Sequence, residues 1–161
     1  MRKESRLNRA AGATAAVVLM ASGMVVAGAP TASADNCGGL GDYFCGAVKN
    51  RTGRAMNYTT NLGDGNGRCY VWNIDGGTAS HPDTLPCDQK SIGNGIVGGN
   101  GTGVDVDAFT FNGWGYHERF SRTGTWHWRT AGTWTKLWSG EFADCSIGDY
   151  NEIWCTRLMQ I

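Results

Sequence analysis

Arg122-Thr123-Gly124-Thr125-Trp126-His127-Trp128-Arg129-Thr130-Ala131-Gly132-Thr133-Trp134-Thr135-Lys136-Leu137-Trp138 is the stretch on which the fold turns. Its first part, Arg122-Thr123-Gly124-Thr125-Trp126, is echoed by Arg129-Thr130-Ala131-Gly132-Thr133-Trp134. Each copy sets a glycine beside a small residue between β-prone runs, which is the composition of a tight turn. Taking Thr123-Gly124 and Ala131-Gly132 as two-residue loops predicts a three-stranded meander over about 115–139, with strands at 115–122, 125–130 and 133–139. In that register Glu118 faces Arg129, His127 faces Lys136 and Trp126 faces Leu137. Alternation then puts Trp126, Trp128 and Leu137 on a core face. Glu118, Phe120, His127, Arg129, Trp134, Lys136 and Trp138 fall on the other. A slip of one residue would exchange the two sets.

Outward from this stretch the pattern stays β. Runs rich in aromatic and β-branched residues at 54–61, 69–74, 104–111 and 152–159 are separated by Gly, Asn and Asp clusters. No long amphipathic helix is visible. The fold expected is all-β: a small antiparallel sandwich or barrel-like domain containing the meander and stapled by three disulfides.

The N-terminus reads as an address. Arg2, Lys3, Arg6 and Arg9 precede an uncharged Ala-, Val- and Gly-rich segment, and Pro30 and Ala32-Ser33-Ala34 follow. That is the layout of a secretory signal peptide at 1–34, leaving one secreted domain at 35–161. Of the 14 basic and 14 acidic residues, four and one depart with the leader, so the remaining domain is mildly acidic. That balance argues against nucleic acid and anionic membrane as partners. With no second apolar span, the product is expected outside the cell, unanchored and monomeric.

Cys37, Cys45, Cys69, Cys87, Cys145 and Cys155 all follow the leader. Six cysteines in an exported domain of this size indicate three bridges, which could pair in 15 ways. Pairing of sequence neighbours is favoured, because each bridge then closes one short loop. Zinc is the rival reading, but only His81, His117 and His127 could join the cysteines, there is no Cys-x-x-Cys spacing, and the expected compartment is oxidising.

Candidate chemistry is sparse. Tyr116-His117-Glu118-Arg119 resembles the Tyr-His-Glu segment of small secreted guanyl-specific ribonucleases. The likeness covers four residues and implies Glu118 as a base, with Arg122 or Arg129 near phosphate. The second histidine those enzymes carry near the C-terminus is absent after His127. His117 and Glu118 are also consecutive on a strand and point to opposite faces. Asp105 and Asp107 share one strand face, where they would be a half-exposed pair, calcium ligands helped by Asn100, or the acid and base of a glycosidase. There is no nucleophile elbow, His-Glu-x-x-His or phosphate loop, and no cofactor is expected.

Trp134 and Trp138 lie four residues apart on one strand face, beside His127 and Arg129. Rings at that spacing suit sugar or an extended polymer, unless they are core. The Ala-rich leader, the cut before Asp35 and the Gly/Trp-rich six-cysteine domain resemble small exported proteins of actinobacteria, largely uncharacterised ones. The likeness implies a compartment. The function expected is a secreted, non-enzymatic binding module for cell-wall glycan, polysaccharide or a protein partner. The alternatives are a protease inhibitor presenting Thr78-Ala79-Ser80-His81-Pro82, and a small hydrolase using Glu118 or the Asp105/Asp107 pair.

Overall fold

The computed structural model describes residues 45–99 and 104–160. The expected signal peptide and Cys37 lie outside the described residues, so the expected bridge from Cys37 to Cys45 does too. Cys45 itself is buried and is not a free thiol.

Within these limits the protein is all-β. The strands are β1 (Ala47–Arg51), β2 (Met56–Thr59), β3 (Gly67–Val71), β4 (Asp83–Cys87), β5 (Lys90–Ile92), β6 (Val97–Gly98), β7 (Ala108–Thr110), β8 (Tyr116–Phe120), β9 (His127–Arg129), β10 (Thr133–Lys136), β11 (Glu141–Ile147) and β12 (Ile153–Met159). They form two six-stranded sheets, ordered β6-β1-β11-β12-β8-β9 and β4-β3-β10-β7-β2-β5. All seven runs read as strands from the sequence contain a strand here.

The sheets are mixed, which corrects the antiparallel expectation. β1 runs parallel to β11, β12 parallel to β8, and β10 parallel to β3. Parallel neighbours require crossovers, and the chain supplies them by passing repeatedly between the two sheets.

The meander is also corrected. β8 and β9 do form a hairpin, but Glu118 faces His127 and Tyr116 faces Arg129, two residues from the expected register. The connection is therefore longer than two residues. β10 does not pair with β9 at all. It joins the other sheet between β3 and β7. The physical cause lies at Ala131-Gly132: Gly132 N–H donates to Phe111 O at 3.0 Å, tying the turn to the second sheet.

The sheets meet over a shared core. Val48, Tyr116, Ala143, Cys145, Ile153 and Cys155 come from the first sheet, and Met56 and Phe109 from the second. Val106, Phe111 and Leu137 complete the cluster from the connections. Tyr116 sews the layers together. Its hydroxyl donates to Thr133 O at 2.9 Å and lies 2.7 Å from Thr135 Oγ1, both on β10. A second cluster packs Trp134 against Leu62, Cys69, Val71, Cys87 and Ala108.

Two bridges lie within the described residues, both with neighbour pairing. Cys145–Cys155 joins directly opposed residues of β11 and β12, and Cys69–Cys87 joins β3 to β4. Such bonds belong to an oxidising compartment. Among the described residues no helix is long and apolar enough to cross a membrane.

Candidate functional site

Side chains alternate along each strand of the first sheet, so its two faces can be read from the register alone. One row runs across five strands on the outer face: Trp128 (β9), His117 (β8), Trp154 (β12), Ser146 (β11) and Arg51 (β1). A second row on the same face is Arg119, Thr156, Asp144 and Lys49. At about 4.8 Å per strand step, the first row spans roughly 19 Å.

The rings of this face touch. His117 stacks on Trp154 with centroids 4.1 Å apart and planes 16° from parallel. Trp128 meets His117 edge-on at 4.9 Å, and Trp126 meets Trp154 edge-on at 4.7 Å. The Arg119 guanidinium lies 4.2 Å from the Trp126 ring centroid, within cation–π range. His117 is further held by Nε2, which donates to Glu152 Oε2 at 2.9 Å. Two glycines make room beneath the rings. A Cβ on Gly115 would collide with the Trp128 ring, and a Cβ on Gly148 with Trp154. Trp128 remains 51% exposed despite these contacts.

Beside this platform lies a groove of about 360 Å³, lined by Arg51, Arg119, Arg122, Trp126, Trp154 and Asp144 among others. Arg51 is committed to Asp144 through two parallel bonds, Nε to Oδ1 at 2.9 Å and Nη2 to Oδ2 at 2.7 Å. Arg119 donates Nε to Thr156 Oγ1 at 3.2 Å. Among the described residues neither Arg119 nor Arg122 has a carboxylate partner.

The inner face carries the opposite chemistry. Glu118 is buried, with Oε2 accepting from Arg129 Nη2 at 3.1 Å and Oε1 from Arg157 Nη1 at 3.3 Å. Arg157, fully buried, also donates from Nη2 to Glu141 Oε2 at 2.8 Å and to Gly76 O at 2.6 Å. The Arg129 guanidinium lies over Trp72, 3.5 Å from the ring centroid. Two glutamates and two arginines thus cancel in charge. A cleft of about 340 Å³ opens above them, lined by Trp72, Thr78, Glu118, Phe120, Ser121, Thr125 and His127.

The residues singled out in the sequence are therefore redistributed. Trp134 is buried in the second core cluster and is not a ligand surface, while Trp138, 56% exposed, stands apart from it. Trp126 and Trp128, expected in the core, belong to the outer platform; only Leu137 of that set is core. His127 and Arg129 share the Glu118 face as read, but Arg129 serves the buried network and His127 the cleft rim.

Asp105 and Asp107 are buried, which corrects the half-exposed strand pair. They precede β7, and their oxygens are used within the fold. Asp105 accepts from Gly46 N–H and from Ser139 Oγ, and Asp107 accepts from Leu62 N–H at 2.8 Å. Burial, reinforced by the Asp105 charge and offset in part by the Leu62 N–H, pushes the Asp107 carboxyl up to about 6. Asn100 lies outside the described residues. Among those described, no three His, Cys, Asp or Glu side chains converge as a metal site.

His117, Trp154, Arg119, Arg122 and Arg51 were missed as a group. The signal available was the pairing of 116–120 with 152–159, two strands that local sequence could not show to be neighbours.

The fold and this face together define a disulfide-bonded all-β domain with an exposed aromatic and arginine-rich sheet surface. No protein-family model, curated protein or solved structure matches the chain.

Proposed function

We propose that the protein is a secreted, non-enzymatic binding module that holds polysaccharide through the outer face of its first sheet. The observation that carries this reading is the contiguous row Trp128–His117–Trp154, with Trp126 against its end. The exposed Trp128 indole suits the apolar face of a sugar ring, while Ser146, Thr156, Asp144 and the arginines supply hydrogen bonds to hydroxyls. The platform is held in advance by stacking, by the Glu152 bond and by the glycines beneath, so little side-chain freedom remains to be lost on binding. Co-sedimentation with a panel of insoluble neutral and acidic glycans tests it. Retention that Trp128→Ala weakens at least tenfold is expected; no retention on any glycan would overturn it.

A second reading, as a small hydrolase, is favoured by the direct opposition of Glu118 and His127 beside one cleft. It ranks below the first because both Glu118 oxygens already accept from arginines. Turnover of a glycoside or RNA substrate that His127→Ala abolishes would establish it, and absence of turnover would retire it.

A further inference from the structure

We infer that the groove at the Arg51 end of the platform is a subsite for carboxylates, and that the polysaccharide bound is an acidic one carrying uronate-type carboxyl groups. This rests on the binding reading above and specifies its ligand.

The argument starts from charge. Arg51, Arg119 and Arg122 line the groove against one carboxylate, Asp144. The single ion pair there is Arg51 with Asp144, and it is bidentate. One guanidinium is thereby neutralised, while Arg119 and Arg122 keep their positive charge without a carboxylate partner among the described residues. Two uncompensated guanidinium groups facing one concavity repel each other, and a planar anion relieves that repulsion with paired N–H···O bonds.

Stacking then places the charge. Arg119 lies over Trp126, and Trp126 meets Trp154 edge-on, so the cationic groove and the aromatic platform share both indoles. A chain with one ring on the exposed Trp128 that follows the row past Trp154 would bring its next substituents to Arg119 and Arg122. An acidic sugar supplies ring and carboxylate in one unit. Single-stranded nucleic acid offers rings and anions too, but it draws its affinity from many phosphate contacts along a basic track. Here the unpaired cations among the groove residues are two.

The test is titration of the oxidised protein with polygalacturonate, a neutral β-glucan and oligodeoxythymidylate, followed by tryptophan fluorescence, since Trp126 and Trp154 line the groove. Tighter binding of polygalacturonate than of the neutral glucan, weakened by added salt, is expected. Arg122→Gln should weaken it about tenfold, and Arg119→Gln by at least as much. Arg122 is exposed, so its substitution leaves the fold intact, and circular dichroism verifies this for both variants. Arg119→Lys should recover little, because an ammonium lacks the planar fork. Equal binding of both glycans, unaffected by Arg122→Gln, would overturn the carboxylate subsite and leave the binding module standing. Preference for the oligonucleotide would overturn the acidic-glycan ligand. Binding to neither glycan would overturn both readings.

Discussion

The imidazole of His117 lies almost parallel to the indole of Trp154, 4.1 Å between ring centroids, although the two residues are 37 positions apart in the chain. They are register partners on the parallel strands β8 and β12. This contact makes two positions that are distant in the sequence the centre of one surface.

The glycine beneath Trp154 should be testable without touching the ring. Gly148→Ala is expected to displace the indole, because the added Cβ would collide with it. A changed near-ultraviolet dichroism with unchanged far-ultraviolet signal, and glycan retention several-fold weaker, is the expected outcome. An unaltered aromatic spectrum would show that the ring is not held by this packing.

Glu118 anchors the buried charge network. Glu118→Gln leaves Arg157 and Arg129 short of a counter-charge in the interior, and breaking a buried pair typically costs about 3–5 kcal/mol. Urea unfolding should show a lower midpoint with an unchanged slope. A variant as stable as the parent would mean that water reaches the network and screens it.

Asp107 gives the stability a pH dependence of unusual sign for an aspartate. Its carboxyl is pushed from 3.8 in the unfolded chain to about 6 in the folded one, so the folded state holds the proton more tightly between those values. The contribution of this group to stability is therefore greatest at low pH and is lost as pH rises from about 4 to about 6. Asp107→Asn keeps an oxygen for Leu62 N–H and removes the charge. The variant is expected to melt several degrees higher than the parent at pH 7, with the gap closing near pH 4. A gap that widens on acidification would reverse the assignment.

The Cys145–Cys155 bridge joins two central strands of the first sheet, in a loop short enough that about 2–3 kcal/mol of stabilisation is expected. Replacing both cysteines with alanine should lower the melting temperature in the oxidised protein and have little effect under reducing conditions. Equal losses in both conditions would point to lost packing instead of the bond.

Strand content was legible in the sequence because β-branched and aromatic runs mark it directly. The strands that escaped have local reasons. β4 contains Pro86 and Asp83, tolerated because it is an edge strand. β11 carries Glu141, Ala143 and Asp144, poor β formers, and its buried Glu141 is satisfied by Arg157 from the next strand and by the Trp138 N–H. The repeated Arg-Thr…Thr-Trp pattern revealed turns but not destinations: nothing local to Gly132 says that β10 joins the other sheet. Parity along β8 and β9 was readable, and Glu118, His127 and Arg129 do share a face. Which face is inside was not, because the charged set neutralises itself in the interior and leaves Trp128 and Trp154 to the outer surface.

The most direct measurement is binding of the oxidised protein to glycan by isothermal titration, comparing the parent with Trp128→Ala and with Trp138→Ala. Trp138 is as exposed as Trp128 but lies off the platform. Loss of affinity in Trp128→Ala alone is the outcome expected if the outer sheet face is the ligand surface. Equal affinity in all three proteins, or loss confined to Trp138→Ala, would contradict it.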